Sequence, residues 1–223
     1  MNLRPYQREA LDAIHERLAV GSSTLTVSPT GTGKTILFGQ LIRERLHLGR
    51  AMVLAHRKEL VHQNAKKISI MTGKPCGIEM ADESSGDGTL AGGEPIVSAT
   101  VQTLTTGRIQ KFHPAEFATL ICDEAHHYCA PMFRSPIDWF RRNPNLKVLG
   151  VTATPDRADE EALGRIFESV AYDYALWDAV MDGWLVPLKH WAKRLVGLDL
   201  SSVKTVAGEL NGRELAREIS ANE

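Results

Sequence analysis

A polar segment at residues 28–35, with the sequence SPTGTGKT, has the residue types that hold a nucleotide. Gly31 and Gly33 allow backbone N–H groups to curl around phosphate oxygens without a Cβ in the way. Lys34 supplies a positive charge for the terminal phosphates, and Thr35 supplies a hydroxyl ligand for Mg²⁺. A plain glycine turn would account for the two glycines but not for the Lys-Thr pair. We therefore expect a phosphate-binding loop, although Ser28 stands where the strict pattern has its first glycine.

A second candidate site lies at residues 119–126 (TLICDEAH), where an apolar run is followed by two adjacent acidic residues. Acids at the carboxyl end of a parallel strand emerge into the crevice where open α/β sheets bind ligands. We expect Asp123 to serve Mg²⁺ and Glu124 to activate the attacking water. Asp-Glu after a strand is also compatible with a helix N-cap. The neighbours His126 and His127 suggest a metal pair, but we reject zinc because adjacent positions do not usually face one ligand.

Short apolar runs and helical patterns alternate along the chain and would position these residues. Continuous apolar runs are typical of strands buried on both faces of a parallel sheet. They occur at residues 24–27, 51–55, 95–98, 119–122 and 148–152, with a further candidate strand at 185–188. Helical spacing of apolar residues predicts helices over 5–18, 34–46 and 58–70. The alternation predicts an α/β fold, with a parallel sheet and helices on both faces.

Composition excludes several classes of protein. The chain has 223 residues, of which 43% are hydrophobic and 24% charged, as in ordinary globular proteins. The 26 Lys and Arg nearly balance the 27 Asp and Glu, which argues against a histone-like coat of positive charge but allows a local basic face. The three cysteines form no C-x-x-C pair, so we expect a reducing compartment such as the cytoplasm. No apolar stretch is long enough to predict a membrane span.

Taken together, the motifs resemble the first motor domain of superfamily-2 DEAD/DEAH-box helicases. Six segments agree with that family in order: LRPYQ at 3–7, SPTGTGKT at 28–35, VLAHRKEL at 53–60, SATVQTL at 98–104, DEAH at 123–126 and TATP at 152–155. The LRPYQ opening, the HR-x-EL segment, the DEAHH sequence and the AVMDGWLVP segment at 179–187 are similar to the branch that contains type III restriction motor subunits.

The resemblance implies a RecA-like P-loop NTPase fold and ATP-driven movement along nucleic acid, chiefly double-stranded DNA. It implies roles for further residues. Arg4 and Gln7 would recognise the adenine, Thr30 and Thr32 would join the phosphate loop, and His126, Thr152 and Thr154 would couple the γ-phosphate to domain movement. Thr152 and Thr154 are also compatible with a simple strand end, and Gln7 with an exposed helix residue.

Nucleic-acid contacts are expected at the sheet edge that carries the phosphate loop. Binding a phosphate backbone requires donors and positive charge rather than base-reading groups. His56 and Arg57 follow one predicted strand, and Thr100 and Gln102 follow another. We predict that these four residues contact nucleic acid.

The length alone suggests about one and a half domains. The resemblance implies one RecA-like domain over residues 1–190 and a linker or extension over 191–223. In the resembling family a second RecA-like domain, in cis or in trans, supplies arginine fingers, so we expect this chain alone to hydrolyse ATP poorly. Two alternatives remain: the motor part of a type III-like restriction enzyme, and a non-catalytic nucleic-acid-binding module with an ATPase fold.

Overall fold

The computed structural model describes residues 3–85, 93–153 and 162–187, together with residue 189 and short stretches at 205–206, 209–210, 214–216 and 219. The chain divides into two compact units, Met1–Val186 and Pro187–Glu223. In the second unit, Thr205–Val206 pairs in antiparallel fashion with Glu209–Leu210. Both functional motifs lie in the first unit. The predicted domain boundary at residue 190 remains a prediction.

The described part of the first unit contains a seven-stranded parallel sheet. Its strands are β1 (Ser23–Val27), β2 (Arg50–Ala55), β3 (Cys76–Glu79), β4 (Ile96–Thr100), β5 (Phe117–Asp123), β6 (Lys147–Thr152) and β7 (Val170–Asp173). Their order across the sheet is β3-β4-β2-β5-β6-β1-β7, and every pairing is parallel. The five predicted internal strands are confirmed. The strand expected at 185–188 is wrong, since residues 185–187 are not in a strand.

Helices connect the strands. They are α1 (Pro5–Val20), α2 (Lys34–Arg45), α3 (Lys58–Thr72), α4 (Val101–Thr105), α5 (Pro131–Phe140) and α6 (Leu176–Met181), with 3₁₀ turns at Leu46–Leu48, Arg108–Lys111, Pro114–Glu116 and Ala125–Cys129. The three long helices predicted from apolar spacing are therefore confirmed. Within the described residues, no helix is both long and apolar enough to cross a membrane.

The sheet separates two apolar layers because alternate residues of each strand face opposite sides. In β2, Met52 and Leu54 join the layer of α4 and α5, whereas Ala51 and Val53 join the layer of α1, α2 and α3. All four side chains are fully buried. Helices therefore cover both faces of the sheet, as the sequence predicts.

Strand order fixes the position of the functional motifs. The neighbouring strands β1, β6 and β5 end together at one edge, at Val27, Thr152 and Asp123. The carboxyl ends of parallel strands form the crevice in which open α/β sheets bind ligands. The phosphate loop and the DEAH segment thus face each other across the end of β6.

Candidate nucleotide site

The phosphate loop occupies the turn between β1 and α2. Gly31 and Gly33 have φ angles of +92° and +85°, in the left-handed region that glycine adopts without a steric penalty. Gly33 is the N-cap of α2. The first amides of a helix have no acceptor within the helix and are available to an anion. The loop therefore has the backbone shape that a phosphate group requires.

Lys34 and Glu124 approach each other across the crevice. The Lys34 Nζ atom lies 3.9 Å from Glu124 Oε1 and donates to the carbonyl of Ser28 at 3.3 Å. The two side chains are only 11% and 24% exposed, respectively. The positive charge that would bind phosphate and the carboxylate that would act on water thus face the same space.

Asp123 is buried at the end of β5. Its Oδ2 atom accepts a hydrogen bond from Asn64 Nδ2 at 2.9 Å, and its Oδ1 atom accepts one from the Glu124 amide at 3.1 Å. Burial raises the pKa of Asp123 above its usual range, while the Asn64 bond and the charge of Lys34 oppose that rise. A buried carboxylate with a raised pKa gains from a bound cation, which favours the Mg²⁺ role expected of it.

Asn64 supports the site through its bond to Asp123, and the sequence analysis did not indicate it. It lies on α3, is 2% exposed, and shares the buried face of that helix with Val61, Ala65 and Ile68. A polar residue inside an apolar stripe is the signal that would have indicated it, because a buried amide needs a partner.

Glu124 has an unusual backbone for its residue type. Its φ of 53° and ψ of 61° lie in the left-handed region, and among the described residues it is the one non-glycine with positive φ. Such strain is found at functional sites, where the surrounding structure holds it in place. Here the strained turn directs the Glu124 side chain toward Lys34.

The predicted coupling residues His126 and Thr152 lie together. The His126 Nδ1 atom is 3.0 Å from the Thr152 hydroxyl and 3.7 Å from Glu124 Oε2. Thr152 is fully buried at the end of β6, between the two motif-bearing strands. Thr154, the other predicted coupling residue, lies outside the described residues.

The two residues expected to recognise adenine lie at the start of α1. Gln7 is buried, and its Nε2 atom donates to the Thr32 carbonyl at 2.9 Å while its Oε1 atom accepts from the Arg4 amide at 3.0 Å. Arg4 is exposed. Tyr6, which the sequence did not indicate, also donates to the Thr32 carbonyl, at 2.5 Å. These bonds attach α1 to the phosphate loop.

The threonines of the loop differ in accessibility. Thr30 is exposed and Thr35 is half-buried. Thr32 is buried, and its hydroxyl donates to the Pro29 carbonyl at 2.7 Å. The Thr32 side chain therefore holds the loop closed on itself, and its contribution to binding is through the shape of the backbone.

The four predicted nucleic-acid residues gather at the ends of β2 and β4. Arg57 and Gln102 are exposed, and Gln102 Nε2 donates to the His56 carbonyl at 3.1 Å. Thr100 is buried, with its hydroxyl in a 2.7 Å hydrogen bond to Thr103. Of these four residues, Arg57 and Gln102 are the exposed pair.

A cluster of three imidazole rings, with planes tilted by 46° and 47° to one another, connects this surface with the DEAH segment. The His127 ring lies 3.9 Å from that of His56 and 4.1 Å from that of His126, measured between centroids. Burial, reinforced by the neighbouring His127, lowers the pKa of His56 to about 4. An open cleft of about 440 Å³ runs between these rings, Arg57 and Glu124.

Comparison with known proteins shows the family of the chain. The family model described as "Type III restriction enzyme, res subunit" matches residues 1–157. The putative ATP-dependent helicase IRC3 of Saccharomyces cerevisiae is 30% identical over 243 aligned residues, which cover 99% of this chain and 33% of that protein. The chain therefore spans about a third of the length of this curated relative.

Solved structures share the fold. The helicase domain of Hef from Pyrococcus furiosus matches with a TM-score of 0.64 and 23% identity, over 76% of this chain and 37% of that one. A nuclease-deletion mutant of the Type ISP restriction-modification enzyme LlaGI, in complex with a DNA substrate mimic, matches with a TM-score of 0.63 and 20% identity, over 82% and 21% of the two chains. The predicted RecA-like fold is confirmed by these neighbours.

Proposed function

The chain belongs to the family of type III restriction enzyme res subunits, and we propose that it is the ATP-binding motor domain of a nucleic-acid helicase or translocase. The observation that carries this proposal is the meeting of Lys34 with Glu124, at 3.9 Å, where β1 and β5 end. A phosphate-binding cation and a carboxylate able to act on water are the two halves of an ATPase site. A non-catalytic module would need neither, which disfavours that alternative.

The residues present fit Mg-ATP. The loop amides and Lys34 would hold the phosphates, and the Thr35 hydroxyl and Asp123 would hold Mg²⁺, which usually takes one or two protein oxygens together with phosphate oxygens and water. When bound, Mg²⁺ neutralises negative charge on the phosphate oxygens. Glu124 orients the attacking water and accepts its proton.

Coupling would pass through His126. Its ring lies within 3.7 Å of Glu124 and within 3.0 Å of Thr152, so a change in the position of Glu124 alters the contacts of β6. This contact supports the role in domain movement that the sequence assigned to His126 and Thr152.

Nucleic acid would bind at the ends of β2 and β4. Arg57 is exposed at the N-terminus of the 15-residue helix α3, where its charge adds to the positive end of the helix dipole. Gln102 beside it supplies an amide donor. These groups suit phosphate oxygens rather than base edges. The LlaGI neighbour was solved with a DNA substrate mimic, which supports DNA as the partner. That this DNA is double-stranded is part of our proposal.

A second RecA-like domain, in cis or in trans, would complete the motor. The chain covers 33% of its IRC3 relative, which leaves room in that protein for further domains. An arginine finger supplied across such an interface contributes about 10³ to 10⁵ in rate. Within the described residues, Cys76, Cys122 and Cys129 form no disulfide, which is compatible with a reducing compartment.

An ATPase assay with and without duplex DNA, on the full-length gene product, tests the proposal. Glu124→Gln should retain ATP binding and lose turnover, while Glu16→Gln, at an exposed position of α1, should behave as wild type. Equal turnover of wild type and Glu124→Gln would contradict the assignment. The same ATPase assay with single-stranded DNA and with RNA identifies the nucleic acid that stimulates turnover.

The family match and the LlaGI neighbour favour a second candidate, the motor part of a restriction enzyme. It uses the same ATP site. ATP-dependent DNA cleavage by the full-length wild-type product, lost in Glu124→Gln, would support this candidate. ATP hydrolysis without DNA cleavage would support a helicase.

A further inference from the structure

The segment that follows α6 folds back onto the nucleotide site. Gly183, with φ of +75°, ends the helix, and the amides of Trp184 and Leu185 both donate to the Ala179 carbonyl at 2.9 Å. This turn brings Leu185 beside the phosphate loop, where its Cδ2 atom lies 3.2 Å from the place that a Cβ on Gly31 would occupy. The segment lies beyond residue 157, where the family match ends.

Trp184 covers one face of the Arg4 guanidinium. The guanidinium carbon of Arg4 lies 4.8 Å from the centroid of the indole ring. The Arg4 Nη1 atom also donates to the Tyr6 hydroxyl at 3.2 Å, and that hydroxyl donates to the Thr32 carbonyl. Arg4 is thus held between an aromatic plane and a group bonded to the phosphate loop, although it is itself exposed.

A cavity of about 330 Å³ opens beside these residues. Its lining consists of Pro5, Tyr6, Glu9, Tyr172, Tyr174, Asp182 and Trp184. The Tyr6 and Tyr174 rings stack at 4.7 Å, and the Trp184 ring meets Tyr6 edge-on at 5.7 Å. The Tyr174 hydroxyl donates to Asp182 at 2.7 Å, which fixes the wall further. Ligand sites in proteins have volumes of about 300–1,000 Å³, and this cavity lies at the lower end of that range.

We propose that Trp184 is a positioning residue of the nucleotide site, which fixes Arg4 so that the guanidinium stacks on the base of the bound nucleotide. A guanidinium is planar and stacks on aromatic rings. Since Trp184 covers one face of Arg4, the opposite face is the one that meets the base. Holding the long Arg4 side chain before binding lowers the entropy lost on binding. This inference rests on the proposed function, because it concerns the same ATP site.

The chain offers a matched control for the test. Trp177 lies on α6, in the same part of the fold, and is 70% exposed. The dissociation constants of Mg-ATP and of inorganic tripolyphosphate are measured by calorimetry for wild type, Trp184→Ala, Trp184→Phe and Trp177→Ala. Tripolyphosphate tests the phosphate loop alone, since it has no base.

We expect Trp184→Ala to bind ATP up to about tenfold more weakly, because the unheld Arg4 side chain must then be ordered on binding, and to bind tripolyphosphate like wild type. Trp184→Phe should recover most of the ATP affinity, and Trp177→Ala should change neither ligand. In an Arg4→Ala background, Trp184→Ala should have no further effect, because Trp184 acts through Arg4.

Three results would overturn the inference. Equal weakening of ATP and tripolyphosphate by Trp184→Ala would show that Trp184 supports the phosphate loop rather than the base side. An unchanged ATP affinity, with wild type binding ATP, would remove the role of Trp184 and leave the proposed function intact. Failure of wild type to bind either ligand would refute both the inference and the ATP site on which it rests.

Discussion

Gly33→Ala would test how tightly α1 holds the phosphate loop. A Cβ at Gly33 would lie 2.7 Å from the Gln7 Nε2 atom, closer than two such atoms can approach, and the backbone φ of +85° is strained for any residue with a side chain. Gln7 cannot move without cost, because it is 5% exposed and bonded to both Thr32 and Arg4.

The expected loss of stability has two parts. Placing alanine in the left-handed region costs about 1–2 kcal/mol. Displacing the buried Gln7 amide from its partners costs about 1–3 kcal/mol more. We therefore expect Gly33→Ala to lower the free energy of unfolding by about 2–5 kcal/mol, a large fraction of the stability of a typical domain.

Urea unfolding followed by circular dichroism measures this loss, and Gly107→Ala is the matched control. Gly107 also has a left-handed φ, +94°, but no atom of the described residues lies within 4 Å of the place that a Cβ would occupy there, so only the backbone part of about 1–2 kcal/mol should apply. In a Gln7→Ala background, Gly33→Ala should cost no more than Gly107→Ala. An equal cost for the two glycines in the wild-type background would refute the assigned role of Gln7.

Three further predictions concern residues outside the phosphate loop. Glu79 is fully buried and pairs with Arg108 and Lys111, which are themselves partly exposed, so Glu79→Ala should lower the free energy of unfolding by about 1–3 kcal/mol in urea titrations through the loss of these charged hydrogen bonds. The buried Tyr128 hydroxyl has no hydrogen-bond partner among the described residues, so Tyr128→Phe should be neutral or stabilising by up to about 1 kcal/mol in the same assay. Burial lowers the pKa of His56 to about 4, so this imidazole is protonated at higher pH in the unfolded chain than in the folded one. The free energy of unfolding should therefore fall as pH drops from about 6.5 to about 4. His56→Gln should reduce that fall.

The internal strands could be predicted because their burial is complete. β2 and β5 are buried at every position, and each contains a continuous apolar run, at 51–55 and 120–122. The edge strands β3 and β7 could not be predicted, for the opposite reason. Alternate positions of β3 are only half-buried and β7 is partly or fully exposed throughout, so neither leaves an apolar run in the sequence.

The position of Lys34, Asp123 and Glu124 could also be predicted, since a parallel sheet brings the carboxyl ends of its strands to one edge. The supporting contacts could not. The bond from Asn64 to Asp123 joins residues 59 positions apart, and the bond from Gln7 to the phosphate loop joins residues 25 apart. Such pairs follow from the packing of helices on the sheet, which the spacing of one helix does not reveal.

The two sides of the site differ in how firmly they are held. On the phosphate side, the Thr32 carbonyl accepts two hydrogen bonds from α1, at 2.5 and 2.9 Å, and the Thr32 hydroxyl closes the loop at 2.7 Å. On the carboxylate side, Glu124 meets Lys34 and His126 at 3.9 and 3.7 Å, longer than a hydrogen bond. The phosphate loop is therefore preorganised for its ligand, which spares the cost of reorganisation on binding. Because the two Glu124 contacts can still shorten, we propose that a bound γ-phosphate acts on the fold through Glu124 and His126, toward Thr152 and the histidine cluster.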